Sequence, residues 1–178
     1  MIKPNDCLFL IIDIQEKLVK MLKDSNVKEN AVILSKACDI LNVNTIITEQ
    51  YPKGLGETVK EIKDASSKAK YFEKTAFSAL KSEEIFNAIK ASGKKQIIIC
   101  GIEAHICVLQ TALDLLASGY EVYYVKNCSG SRNSYDIETA EELLKQEGVK
   151  VVTTEIVLFS LLESSKHPNF KEVQALIK

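Results

Sequence analysis

The strongest constraint in this chain is an alternation: apolar runs of strand length are separated, again and again, by stretches with helical spacing. The first run, CLFLIID (7–13), is almost continuously apolar, as a strand covered on both faces should be. NTIIT (44–48), AKYFEK (69–74), QIIIC (96–100), EVYYV (121–125) and KVVTT (150–154) follow as five further strands. Between the first two, residues 28–42 place Val32, Ile33, Ala37, Ile40 and Leu41 on one helical face. Helix 82–92 opens on Ser82-Glu83-Glu84, an N-cap with acids in the first turn, and stops at Gly93. Helices are likewise predicted over 105–118, ending at Ser118-Gly119, and over 136–147, stopping at Gly148. Helical tails close the chain.

Strict β-α alternation predicts an α/β fold of three α/β/α layers. Its Rossmann-like centre is a six-stranded, mostly parallel sheet with helices on both faces. With 178 residues and no repeat, low-complexity tract or Pro/Gly-rich linker, one domain spanning 1–178 is expected. The composition, 46% hydrophobic and 26% charged, is that of a globular chain rather than a disordered one. A net charge of −1 leaves no electrostatic footprint for nucleic acid or an anionic membrane. No apolar stretch approaches the roughly 20 residues that span a bilayer. The opening MIKPNDCLFLIIDIQEK lacks a small-residue cleavage site and runs into an acid-containing motif, so it reads as a strand and predicts a cytoplasmic protein.

Ligands of open parallel sheets bind outside the carboxyl ends of the strands. Three reactive side chains fall there: Asp13 after the first strand, Lys74 at the end of the third, and Cys107 where the helix after the fourth begins. Together they have a coherent chemistry. A helix N-terminus or a nearby lysine lowers a thiol's pKa and favours the nucleophilic thiolate. Asp13 is placed to take the thiol proton and later to activate water, and Lys74 to stabilise both anions. Backbone amides at the start of the helix, that of Cys107 among them, are candidates for an oxyanion hole. Taken singly, each residue has a plainer reading. A cysteine is commonly core, an aspartate at a strand end a helix cap, and a lysine a solvated surface group.

No GxGxxG follows the first strand and no GxxxxGK[ST] occurs anywhere, so no dinucleotide or P-loop cofactor is expected. The five cysteines form no CxxC, and His105 and His167 are the only imidazoles, which argues against a zinc site and leaves no metal expected. Gln50 and Tyr51, after the second strand, are candidate substrate contacts that serve equally as turn residues before Pro52. Phe77 is a candidate apolar wall. His105 competes with Asp13 as base, since Cys-His dyads are common, although two residues along a helix start point in different directions. Cys128, in NCSGSRN, is the rival reactive thiol, and its surroundings read as turn chemistry.

Over nearly its full length the sequence resembles the isochorismatase-like cysteine hydrolase superfamily. The resemblance rests on LIIDIQEK (10–17), TEQYPKGLG (48–56), FEKTAFSAL (72–80) and GIEAHICVLQTALDLLASGYEV (101–122), in wording similar to the isochorismatase domain-containing branch. It implies an Asp-Lys-Cys catalytic triad on Asp13, Lys74 and Cys107. It also implies a non-proline cis peptide at Ile102–Glu103 beside an oxyanion loop that includes Ile106. Nicotinamidases of the superfamily bind a metal through Asp-x-His and further histidines after the second strand. Here that place reads Thr48-Glu49-Gln50-Tyr51, which implies metal independence. The implied activity is hydrolysis of a small molecule, an amide C–N bond foremost, through a Cys thioester. A binding or assembly protein on the same fold and a redox-sensitive thiol protein are the alternatives. Homo-oligomers, dimers or larger, are expected from the resemblance, with the apolar segment IVLFSLLES (156–164) packing on a partner or on its own sheet.

Overall fold

The six apolar runs become the six strands of one sheet. The structure is a computed structural model and describes residues 1–23 and 25–178. Strand β1 (Cys7–Ile12) leads through a short helix α1 (Glu16–Val19) to the long helix α2 (Val27–Ile40) and strand β2 (Asn44–Gln50). Two short helices, α3 (Pro52–Leu55) and α4 (Lys60–Ala65), precede β3 (Lys70–Lys74), and α5 (Glu83–Ala91) precedes β4 (Gln96–Ile102). A π-helical turn (Ala104–Val108) opens into α6 (Leu109–Ala117), followed by β5 (Glu121–Gly130) and α7 (Ser134–Gln146). Strand β6 (Lys150–Val152) and helices α8 (Thr154–Leu162) and α9 (Phe170–Ala175) complete the chain.

All strand pairs are parallel, in the order β3-β2-β1-β4-β5-β6. This order reverses direction between β1 and β4, so their carboxyl ends flank the crevice where doubly wound sheets bind ligands. Side chains along a strand alternate between faces, and the core divides accordingly. Cys7, Phe9 and Ile11 pack with α2 (Ala31, Leu34, Cys38) and α8 (Val157, Leu158, Leu161). Leu8, Leu10 and Ile12 pack on the other face with Ile85 and Ile89 of α5 and Ala112 and Leu115 of α6. Each fully buried Leu or Ile contributes roughly 1.5–3 kcal/mol. Burial on both sides is why β1 and β4 carry no polar residue in the middle.

Gly101 is what lets these two strands sit so close. A Cβ there would lie 2.0 Å from the Ile12 carbonyl oxygen, and the residue has φ +146°, a conformation that glycine alone adopts readily. Gly93, Gly119 and Gly148 end their helices as the spacing predicts.

Three details that bear on the site and the sheet differ from the sequence expectations. Ser82 occupies the N-cap of α5, but its side chain makes no capping hydrogen bond. Strand β5 runs on to Gly130, so Cys128 lies in the sheet rather than in a turn. The polar residues after Val125 hid this, because Asn127 and Ser129 bond within the fold: Asn127 Oδ1 accepts from Thr154 N at 2.9 Å, and Ser129 Oγ donates to Val125 O at 3.0 Å. Strand β6 stops at Val152, and Thr153 is instead the extended cap of α8. Of the two placements expected for 156–164, α8 packs mainly on its own sheet, with Val157, Leu158, Leu161 and Leu162 buried while Ile156 and Phe159 face out. No helix among the described residues is long and apolar enough to cross a membrane.

Candidate active site

Asp13 directly follows β1, in a left-handed conformation (φ +52°) that aspartate tolerates better than most residues. Its backbone N–H donates to Thr48 O of β2 at 3.1 Å, which turns the carboxylate beneath the end of the sheet. Lys74 ends β3, in register with Gln50 of β2, and its side chain reaches across β2. Lys74 Nζ donates to Asp13 Oδ2 at 2.6 Å, to Gln50 Oε1 at 2.6 Å and to Phe77 O at 3.1 Å. Thr48 Oγ1 donates to the other carboxylate oxygen, Asp13 Oδ1, at 2.6 Å. The side chains of Asp13 and Lys74 are both 0% exposed. Burial pushes the Asp13 carboxyl above its ordinary value, while the Lys74 ammonium and the Thr48 hydroxyl pull the other way.

Cys107 sits in the π-helical turn after β4, against the apolar face that holds α5 and α6. It lines a cavity of about 130 Å³. Leu18, Leu55, Phe77, Ile102 and Ile106 supply the apolar wall; Gln50 and Glu103 supply the polar part of the lining. The other four cysteines are 1% exposed or less. Cys128 packs on the opposite face of the sheet, its sulfur 3.1 Å from Thr154 Oγ1. Asp13, Lys74 and Cys107 come together at the carboxyl ends of β1, β3 and β4.

The state of the thiol differs from the sequence expectation. Burial, first, and the Asp13 charge, second, push the Cys107 thiol up to about 12, and the Lys74 ammonium offsets this only in part. The resting sulfur is a thiol beside a carboxylate rather than a preformed thiolate. Removal from water is the main cause, and the Asp13 carboxylate outweighs the pull of the Lys74 ammonium on the sulfur.

The structure separates the remaining predicted residues. The Ile102–Glu103 peptide is cis. Ile106 N–H donates to Glu103 O at 3.1 Å and is therefore no free oxyanion donor, which leaves the Cys107 amide as the candidate. Gln50 lines the cavity, but its amide is engaged, accepting from Lys74 and donating to Thr75 O at 2.7 Å. Tyr51 is exposed and lines a neighbouring hollow with Glu73, Thr75 and Lys81. His105 turns away from the sulfur, its Nδ1 2.9 Å from Ser131 Oγ and its Nε2 3.9 Å from Asp136 Oδ2. Glu103 Oε1 accepts from the Arg132 backbone N–H at 3.3 Å and is ion-paired with Arg132 Nε at 3.2 Å.

Thr48, Gln15, Leu18 and Leu55 were not singled out by sequence reasoning. Gln15 is fully buried and ties the loops around the site, donating to Gln50 O (3.0 Å) and Gly56 O (2.6 Å) and accepting from Gln50 N (2.7 Å). Its position two residues after Asp13 was the available signal. Among the described residues no group of three or more His, Cys, Asp or Glu side chains is placed to hold a metal ion.

Comparison with known proteins bears on the same elements. The isochorismatase domain, as a family model, matches residues 7–156. Isochorismatase domain-containing protein 2 of Danio rerio is 44% identical over 172 residues, covering 96% of this chain and 86% of its own. The structure of MAR1 ribonuclease from Caenorhabditis elegans superposes with a TM-score of 0.93 at 38% identity, covering 99% of this chain and 91% of that one. The Escherichia coli YcaC gene product, an octameric hydrolase of unknown specificity, superposes with a TM-score of 0.89 at 26% identity, over 98% of this chain and 94% of that one. With a family domain spanning β1 to α8 and a relative matched along almost its whole length, the chain belongs to the isochorismatase family and has its hydrolase fold.

Proposed function

We propose that the protein is a metal-independent cysteine hydrolase that cleaves a small-molecule amide C–N bond with Asp13, Lys74 and Cys107. The observation that carries this reading is a lone cavity-lining thiol beside a buried carboxylate that an ammonium group holds in place. A purely structural core has no use for such a set, because an ion pair removed from water is costly to bury.

The steps follow from the protonation states. Asp13 takes the Cys107 proton as the sulfur attacks the carbonyl carbon, so thiolate character develops during attack rather than before it. The raised basicity of the Asp13 carboxylate narrows the gap between the two groups. The oxyanion of the tetrahedral intermediate lies by the Cys107 amide. Collapse breaks the C–N bond, and Asp13 returns the proton to the departing nitrogen, giving ammonia and a thioester. Water then attacks the thioester while Asp13 takes a proton from it. The C–S bond breaks, the acid leaves, and the sulfur regains its proton. Lys74 stays paired to Asp13 throughout and stabilises its ionised state.

The ribonuclease name belongs to the nematode relative. In this chain, none of the residues lining the Cys107 cavity is a lysine or arginine, the groups by which proteins hold phosphodiesters. The octameric relative, together with the exposed Ile156 and Phe159, supports a homo-oligomeric assembly of this chain. Ammonia release from a panel of small amides tests the function. The wild type releases it and Cys107→Ala does not, with unchanged circular dichroism; equal release by the variant overturns the covalent route.

A further inference from the structure

Resting on the reading of Cys107 as the nucleophile, we infer that this site takes the uncharged amide of a short aliphatic acid and rejects anionic substrates. The inference comes from the charge balance around the sulfur. Lys74, the cation nearest Cys107 in the site, is 0% exposed, and its ammonium is bonded to Asp13, Gln50, Ala76 O and Phe77 O. Arg132, at the other end, is bound to Glu103. These two positive charges are each matched by a carboxylate, and among the described residues the only ionisable side chain lining the cavity besides Cys107 is acidic, Glu103.

A substrate carboxylate or phosphate entering here would lose its hydration against Leu18, Leu55, Phe77, Ile102 and Ile106 and would meet Glu103, with no cation to pair it. An unpaired charge in an apolar site is strongly disfavoured. The size of the space limits the acyl group. An apolar protein cavity of about 150 Å³ holds one benzene, so the 130 Å³ beside Cys107 fits about five or six non-hydrogen atoms. Butyramide and isobutyramide match both limits; oxamate, with the same number of non-hydrogen atoms, carries the forbidden charge.

Two readouts separate this inference from the proposed function. The first requires no turnover. Cys107 alkylation by iodoacetamide and by iodoacetate is followed by peptide mass spectrometry, and each rate is divided by that of glutathione in the same buffer. The normalised preference for the neutral reagent should be at least about 30-fold, since the charged one must be desolvated unpaired. Phe77→Lys, at a side chain 54% exposed and therefore tolerant of change, puts a cation at the cavity wall and should return the preference towards that of glutathione. The second readout is ammonia release from butyramide, isobutyramide and oxamate. Equal normalised rates for the two reagents, or oxamate turned over as fast as butyramide, overturns the inference while leaving the hydrolase reading intact. A strong neutral preference with ammonia from no amide upholds the charge selection and defeats the hydrolase reading.

Discussion

Lys74 Nζ sits 2.6 Å from Asp13 Oδ2, and neither side chain has any contact with solvent. The pair therefore stands or falls as a unit: a partner removed from a buried ion pair leaves an uncompensated charge.

Lys74→Met should destabilise the fold by about 3–5 kcal/mol. The double variant Asp13→Asn/Lys74→Met should recover most of that loss, since no buried charge then remains. Urea unfolding of the four members of this cycle measures both effects. Simple additivity of the two single substitutions would mean that the pair is not coupled.

Thr48 is the second support of the carboxylate, with a 2.6 Å hydrogen bond to Asp13 Oδ1. Asp13 must be ionised to accept the thiol proton, so activity is lost as pH falls through its folded pKa. Burial holds that value above the ordinary carboxylate range. The acid limb of kcat/KM should therefore lie above about pH 4. Thr48→Val removes a stabilising donor and should move this limb to higher pH, at a stability cost of about 1–3 kcal/mol. A limb that does not move would free Asp13 of the role of base.

The thiols make a separate prediction about alkaline stability. Burial raises the Cys7 thiol to about 11 and the Cys107 thiol to about 12, and pushes Cys38 and Cys100 well above the usual value. Each keeps its proton in the folded chain after the unfolded chain has lost it. Their contribution is complete below about pH 9 and declines above it, by about 1.4 kcal/mol per pH unit for each thiol. Four such groups give a slope of about 5 kcal/mol per unit between about pH 9 and pH 11. Cys107→Ser should reduce that slope by about a quarter; urea midpoints across this range would show it.

Chelation is a direct check on metal independence. Thr48, Glu49 and Gln50, the place where the sequence resemblance directs a search for metal ligands, are all engaged within the protein: Glu49 Oε1, for instance, accepts from Thr58 N at 2.7 Å. Ammonia release should be unchanged after exhaustive dialysis against a chelator. A loss restored by zinc or iron would contradict the reading.

What the sequence made legible follows from physics of short range. The parallel sheet could be read because burial on both faces leaves apolar runs such as QIIIC and LFLII with no other solution. Asp13, Lys74 and Cys107 could be found because strand ends in such a sheet converge. The end of β5 could not, since Asn127, Cys128 and Ser129 satisfy their polar groups through partners as distant in sequence as Thr154. Gln50 looked like a substrate contact, and only the register of β2 with β3 reveals that it holds Lys74. The thiol's protonation was illegible for the same reason: it depends on how deeply Cys107 is buried and on the Asp13 carboxylate beside it, both set by contacts distant in sequence.

The covalent intermediate is the most direct test of the proposed chemistry. Butyramide is mixed with the enzyme, the reaction is quenched in acid within its first turnovers, and the digest is read by mass spectrometry. A thioester route predicts a butyryl mass on the peptide containing Cys107, removable by hydroxylamine and absent from Cys107→Ala. Ammonia released at full rate with Cys107 never acylated would contradict it.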